Sequence, residues 1–395
     1  MLLRKYVAGA LKEYFSRSAA PVVGKLSSEI PFRELRGEAD YREHLSRFYD
    51  ASESAWLTPS EIFGDAYAEA IANSLVARNV SGSDTLNIVE IGAGNGTCGA
   101  SMLRHLSRTH PQLNVFYQTY EPSAFLRKRQ REALSQIDGS RWRVSATLPT
   151  CARHHYHIVA LEVLDNLPHD FVRVKMRGGG EDEMLEARVV DGRITYAPLS
   201  DDEAIRACLD AMGKHGLAFF QAQPPTRPKL LSIVDSVVGT FKFKNSVASD
   251  LDAYLPTGAY HMMKSICEAM PRHCLTIADF DWLPAKDDEV INAPIVQSHD
   301  KDYGSDIFAA PFGQADIMFP TRFEAIAAIH ERLQLQYAPE QSSYHRKVLK
   351  TSAFMNSFAP PQLLERTETR SGYNPMMEDF INTSFLITKE VGAHV

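Results

Sequence analysis

The segment Glu90-Ile91-Gly92-Ala93-Gly94-Asn95-Gly96 concentrates more chemistry than any other stretch of this sequence. An apolar run from Leu86 leads into it and reads as a buried strand. Beyond it, Thr97 to about Ser107 repeats apolar residues at helical spacing. A glycine-rich loop between a strand and a helix is a ligand cradle, because glycine lets the backbone turn tightly and approach a ligand closely. The spacing is GxGxG, and Thr97 stands where the dinucleotide fingerprint has its third glycine, which argues against a nicotinamide cofactor. Glu90 repels a pyrophosphate and attracts an ammonium group. Glu121 follows a second strand, Val115 to Tyr120, and a carboxylate there accepts both hydroxyls of a ribose. A nucleoside with a cationic tail suits both acids. S-adenosylmethionine, which carries an amine and a sulfonium, is such a molecule.

A second polar cluster, Glu162-Val163-Leu164-Asp165-Asn166-Leu167-Pro168-His169-Asp170, stands at the end of a fourth strand, His157 to Val163. Ligands in parallel sheets sit at the carboxyl ends of strands, so this cluster, Gly92–Gly96 and Glu121 converge. Glu162 and Asp165 suit a cationic acceptor such as a guanidinium, since carboxylates pair with it bidentately and accept its proton. His169 reads as a surface residue. His154, His155 and His157 lack the spacing of metal ligands and read as a solvated loop, so no metal site is expected.

Positioning these groups requires a particular order of elements. Thr58-Pro59-Ser60-Glu61 predicts a capping box opening a helix to about Arg78. Ser123 caps a helix through Leu134, and Trp142–Ala146 reads as a third strand. Alternation of strand and helix over 86–165 predicts an α/β, doubly wound, Rossmann-like parallel sheet. Phe171–Met176, Gly178-Gly179-Gly180, Met184–Val190, Asp191-Gly192 and Ile194–Ala197 then read as a β-meander. Ser200-Asp201-Asp202-Glu203 opens a helix towards His215, Lys286–Asp306 reads as a polar loop, and Thr321-Arg322-Phe323-Glu324 opens a helix to about Leu335. The chain thus divides into a cofactor core at about 58–170, an insertion shaping the acceptor site at about 171–310, and a C-terminal part, 311–395, in one elaborated domain, 28–395.

Composition narrows the function classes. With 42 basic and 49 acidic residues the net charge is −7, which disfavours generic nucleic-acid binding. No run of about 18 apolar residues occurs, so no membrane span is expected. The five cysteines form no CxxC, which implies neither a disulfide framework nor a zinc site. Residues 1–26 carry five cations against one acid, a net +4, with Leu2, Leu3, Tyr6, Val7, Leu11 and Phe15 on one helical face. Such a segment has the character of a mitochondrial targeting sequence, which places 1–27 outside the catalytic domain and the protein in the matrix; an ordinary packed helix in a cytoplasmic protein is the alternative.

Several segments together resemble the MidA-type methyltransferases: Thr58–Gly64, Val89–Thr97, Tyr120–Ser123, Glu162–Pro168 and Gly313–Phe323, in that order. That family includes the mitochondrial assembly factor of respiratory complex I, a protein arginine methyltransferase. The resemblance implies a class I methyltransferase core with a β-meander and helical insertion after strand four, and S-adenosylmethionine as cofactor. It implies a protein substrate, a complex I subunit being the family precedent. It places Glu90, Gly92, Ala93, Gly94, Gly96, Glu121 and Pro122 against the cofactor, and Glu162, Asp165 and Asn166 at the acceptor. The chain departs from the family pattern at Asn95, Leu161 and Asn166. A non-catalytic assembly chaperone that keeps the fold is the rival from another class.

Overall fold

The computed structural model describes residues 1–16, 22–26, 28–51, 56–80, 83–175, 183–199, 203–213, 250–284, 290–339 and 344–390. Its strands are β1 (Thr85–Ile91), β2 (Asn114–Tyr120), β3 (Trp142–Ser145), β4 (Tyr156–Leu161), β5 (Asp170–Lys175), β6 (Glu183–Val190), β7 (Arg193–Pro198), β8 (Leu251–Leu255), β9 (His273–Phe280), β10 (Val290–Ile291), β11 (Ile295–Gln297), β12 (Asp302–Gly304), β13 (Asp316–Met318), β14 (Tyr344–Lys350) and β15 (Thr383–Glu390). The first seven α-helices are α1 (Leu3–Phe15), α2 (Glu38–Ala51), α3 (Pro59–Ile62), α4 (Asp65–Ala77), α5 (Thr97–Thr109), α6 (Ala124–Leu134) and α7 (Ala204–Met212).

The central sheet has the order β14-β15-β9-β4-β1-β2-β3. Strands β1 to β4 and β9 run parallel, whereas β15 is antiparallel to both its neighbours. The chain builds outward from β1 through β2 and β3, then returns to lay β4 on the other side of β1. That reversal opens a crevice at the carboxyl ends of β1 and β4. The expected α/β doubly wound class is present. Three of its seven strands, β9, β14 and β15, come from residues beyond the 58–170 stretch expected to hold the core.

The meander strands β5, β6 and β7 pair antiparallel as expected, in a second sheet ordered β10-β8-β5-β6-β7. Its triple-glycine turn and most of the Ser200–Glu203 box lie outside the described residues. The stretch expected as a loop at Lys286–Asp306 instead carries β10, β11 and β12; Ile295 and Val296 are buried, and β11 pairs with both β12 and β13. The helix predicted from Thr58 to Arg78 is broken into α3 and α4 by Gly64, whose φ of +51° is costly for other residues. Thr58 makes no side-chain cap there.

Residues 1–16, read as part of a targeting segment, fold as α1 and pack onto the second sheet. Leu3, Val7, Leu11 and Tyr14 are buried, and Arg4 meets Asp170 at 2.6 Å. Among the described residues no helix is long and apolar enough to cross a membrane.

Candidate active site

A cavity of about 500 Å³ opens over the crevice, within the range of about 300–1,000 Å³ common for small-molecule sites. Strand β1 delivers Glu90 to its floor, where burial raises the carboxyl to about pKa 7. Tyr117 on β2 donates a 2.6 Å hydrogen bond to Glu90 Oε2, which favours the ionised form and limits that rise. The loop after β1 is held in a left-handed path: φ is +66° at Gly92, +50° at Gly94 and +82° at Gly96. A Cβ on Gly92 would lie 2.9 Å from Val163 Cγ2, whereas Gly94 faces open space with only Val23 at 3.9 Å. Gly92, Ala93 and Gly94 line the cavity; Gly96 does not, and instead lets α5 approach α6 with Gln130 Cα 3.0 Å from its Cβ position.

Glu121 follows β2 and is buried, with its pKa raised by burial. Ser123 N–H donates to Oε1 at 2.8 Å, while Oε2 has only Gln130 Nε2 at 3.5 Å. Oε2 is thus the better placed to take a ligand hydroxyl. Pro122 lines the same wall. A third group holds the loop from behind. Glu61 Oε1 accepts from Thr97 Oγ1 at 2.6 Å and Asn95 Nδ2 at 3.2 Å, and Asn95 Oδ1 accepts from Arg129 at 2.7 Å. The carboxylate expected to complete a capping box on its own helix therefore spans to the glycine loop.

At the end of β4 the chain turns sharply. Glu162 has φ +52°, a conformation that costs about 1–3 kcal/mol for a non-glycine residue and persists only where the surroundings impose it. Its N–H donates to Ala278 O at 2.8 Å. Glu162 and Asn166 line the cavity, but Asp165, expected to face the acceptor, lies behind them and is 3% exposed. The reason is its backbone. Asp165 N–H donates to Asp279 Oδ2 at 3.2 Å, and its carbonyl accepts from Phe319 N–H at 2.8 Å, pinning it inward. Asn166 Nδ2 donates to Asp316 Oδ1 at 2.7 Å, leaving the side-chain carbonyl for a donor.

Four carboxyls therefore gather at one end of the cavity: Glu162, Asp165, Asp279 and Asp316. Burial, reinforced by Asp279, lifts Glu162 to about 8; burial lifts Asp279 and Asp316 to about 7 each. Asp165 is pushed well above the ordinary carboxyl range by burial and then by its three acidic neighbours. Oδ1 of Asp165 is buried with no hydrogen-bond partner among the described residues. Asp279 and Asp316 were not singled out from the sequence, although Asp316 lies within the Gly313–Phe323 segment that carried the resemblance.

The histidines differ from expectation. His169 is buried, stacks on Phe319 at 4.0 Å and is held near pKa 4 by burial, so it is structural rather than a surface residue. His157 is buried inside β4 and His155 packs beside Cys274, so only His154 of that trio is exposed. A buried group absent from the sequence reading, Cys267, His273 and His330, lies apart from the cavity. There His273 Nδ1 donates to Met270 O at 2.7 Å and the two rings meet through Nε2 atoms 2.9 Å apart.

A family model described as "Putative S-adenosyl-L-methionine-dependent methyltransferase" matches residues 69–339. The chain belongs to this methyltransferase family. The match spans β1 to β13 and includes the glycine loop, Glu121 and Glu162. Among solved structures, this methyltransferase is similar to a "likely methyl transferase" of Burkholderia thailandensis bound to S-adenosyl-homocysteine. The identity is 16%, 100% of this chain and 89% of that chain are covered, and the TM-score is 0.58. A second, uncharacterised structure from the same organism aligns at 16% identity, 99% and 94% coverage and TM-score 0.53. At these identities the likeness speaks to the fold alone, a Rossmann-like α/β sheet. No curated protein sequence matches the chain. S-adenosylmethionine is the cofactor of the family, and the residues present fit it. The glycine cradle leaves no room for a Cβ at Gly92, Glu121 Oε2 would be available to a ribose hydroxyl, and Glu90 would supply negative charge to an ammonium.

Proposed function

We propose that this methyltransferase methylates a guanidinium nitrogen of a protein arginine. The observation that carries the reading is the carboxyl group of four, Glu162, Asp165, Asp279 and Asp316, none of which forms an ion pair among the described residues. Like-charged buried groups resist ionising together, and a cation among them relieves the cost. A guanidinium is planar, permanently charged and matched to carboxylates in a bidentate fork. When bound, the cofactor supplies an electrophilic methyl group carried on a sulfonium. The chain does the rest. Glu162 accepts hydrogen bonds from the guanidinium and orients one nitrogen toward the cradle, and Asn166 fixes its other edge through the free side-chain carbonyl. Glu162, with a pKa near 8, is poised to take the proton that the nitrogen loses on methylation. Asp165, Asp279 and Asp316 lie behind it and hold the cation by their field.

The resemblance to the complex I assembly factor supports a complex I subunit as acceptor and the mitochondrial matrix as location, with the cytoplasm as the alternative. The test is quantitative mass spectrometry of methylated proteins from cells with and without the gene. Loss of one methylarginine site, restored by wild type and not by Glu162→Gln, supports the reading. An unchanged methylarginine profile, with cofactor bound but never turned over, favours the assembly-chaperone rival.

A further inference from the structure

The cavity has a wall that the sequence did not foretell: α1 places Leu11, Lys12 and Phe15 along it. The helix is fastened at several points. Met1 exchanges backbone hydrogen bonds with Val189 in both directions, at 2.8 and 2.9 Å. Glu13 packs against Gly313, where any Cβ would come within 2.7 Å, and Gly9 lies 3.1 Å by the same measure from Phe312. Side chains on such an element are held in place more firmly than those on a loop.

Among the described residues the lining of the cavity carries four carboxyls, from Glu61, Glu90, Glu121 and Glu162, and one cation, Lys12. Glu61 is already committed to Asn95 and Thr97. Lys12 forms no ion pair among the described residues. S-adenosylmethionine carries two cationic groups and one carboxylate. The acids answer the cations. Among the described residues the carboxylate has a single charged counterpart in the lining. We propose that Lys12 binds the carboxylate of the cofactor's methionine part, so that α1 is a component of the cofactor site. This assignment rests on the methyltransferase reading. One consequence is that any trimming of the first 27 residues would remove a binding residue.

The test is calorimetric titration of the full chain, wild type, Lys12→Gln and Lys12→Arg, with S-adenosylhomocysteine and with 5′-methylthioadenosine. The second nucleoside keeps the adenosine and sulfur but lacks the amino-acid carboxylate. Lys12→Gln should weaken S-adenosylhomocysteine about tenfold or more, as expected for loss of a charge-assisted hydrogen bond. It should leave methylthioadenosine within about twofold, and Lys12→Arg should recover most of the loss. Unchanged melting temperature in both variants keeps folding out of the comparison, since Lys12 is exposed. An unaltered affinity of Lys12→Gln for S-adenosylhomocysteine would overturn the proposal and leave the carboxylate to the N–H groups at the start of α5. Equal weakening of both nucleosides would also overturn it, because the wall would then act by packing. Failure of wild type to bind either nucleoside would instead sink the methyltransferase reading, and this assignment with it.

Discussion

Tyr117 Oη lies 2.1 Å from the point where a Cβ on Gly99 would stand, so the first turns of α5 close onto β2 only because residue 99 is glycine. The same phenol donates to Glu90. A glycine in a helix interior is ordinarily a weakness that alanine repairs by about 1 kcal/mol. Here the sign reverses. Gly99→Ala should push Tyr117 off Glu90, lower stability by about 1–3 kcal/mol through overpacking, and weaken cofactor binding. Denaturant melts with and without S-adenosylhomocysteine check this; a more stable variant with unchanged affinity would contradict it.

Tyr117→Phe isolates the hydrogen bond from the packing. Without the donor, the Glu90 carboxyl loses the interaction that favours its charged form and titrates above its present value of about 7. At pH 7 the variant should bind S-adenosylhomocysteine more weakly, and the gap should close by about pH 9, where Glu90 is ionised in both proteins. Calorimetry across that range reads it. A gap that does not change with pH would mean that the phenol matters for shape alone.

Arg78 is 5% exposed, its pKa lowered to about 10 by burial, and it has no carboxylate partner among the described residues. Its guanidinium instead donates to Ser74 O, Leu275 O, Thr388 O, Ser74 Oγ and Thr276 Oγ1. The end of α4 is thereby tied to β9 and β15. Lysine cannot reproduce that fork, so Arg78→Lys should cost about 3 kcal/mol by stranding several carbonyls. Urea unfolding measures it, and a loss below about 0.5 kcal/mol would show that the network is dispensable.

How much of this was legible in the sequence follows from what each element buries. Strands β1, β2 and β4 sit inside the sheet and read as apolar runs bounded by glycine or a cap, so they were found almost to the residue. Strand β14 is an edge strand with the sequence Tyr-His-Arg-Lys-Val-Leu-Lys, too polar to stand out. Strand β9 is buried, yet places His273, Thr276 and Asp279 inside, where each finds a specific partner. Polarity there marks a satisfied core rather than a loop, and local pattern cannot tell the two apart. The acids at the glycine turn were recognisable because their neighbours in sequence are their neighbours in space. Lys12 reaches the cavity, and Asp279 and Asp316 reach the carboxyl group behind Glu162, from distant segments, which no local spacing reveals.

Gly94→Val is the substitution that separates ligand from scaffold in the cradle. The site is open, with nothing nearer than Val23, but a φ of +50° is poorly tolerated by a β-branched residue. The side chain should enter the cavity and abolish measurable cofactor binding, while the melting temperature falls only by the few degrees that about 1–2 kcal/mol of backbone strain implies. Unchanged affinity would mean that this turn serves the fold and not the ligand.

The pH dependence of Glu162 gives the sharpest sign. Its carboxyl titrates near 8 in the folded chain against an ordinary 4.5 when the chain unfolds. Between those values the folded state holds a proton that the unfolded state has released, so stability falls as pH rises through the window, and the loss is complete above pH 8. Glu162→Gln keeps the neutral form permanently. The free variant should therefore match wild type in stability at pH 4 and exceed it at pH 8.5, by about 4 kcal/mol. Catalysis should run the other way: wild-type turnover rises with pH toward 8 as Glu162 ionises, and the variant stays inactive throughout. Melting temperatures at the two pH values, taken with turnover on the acceptor, decide the point. A stability difference that is the same at both pH values would show that Glu162 titrates in the folded protein where it does in the unfolded chain, removing the raised pKa on which its role as a base near neutral pH rests.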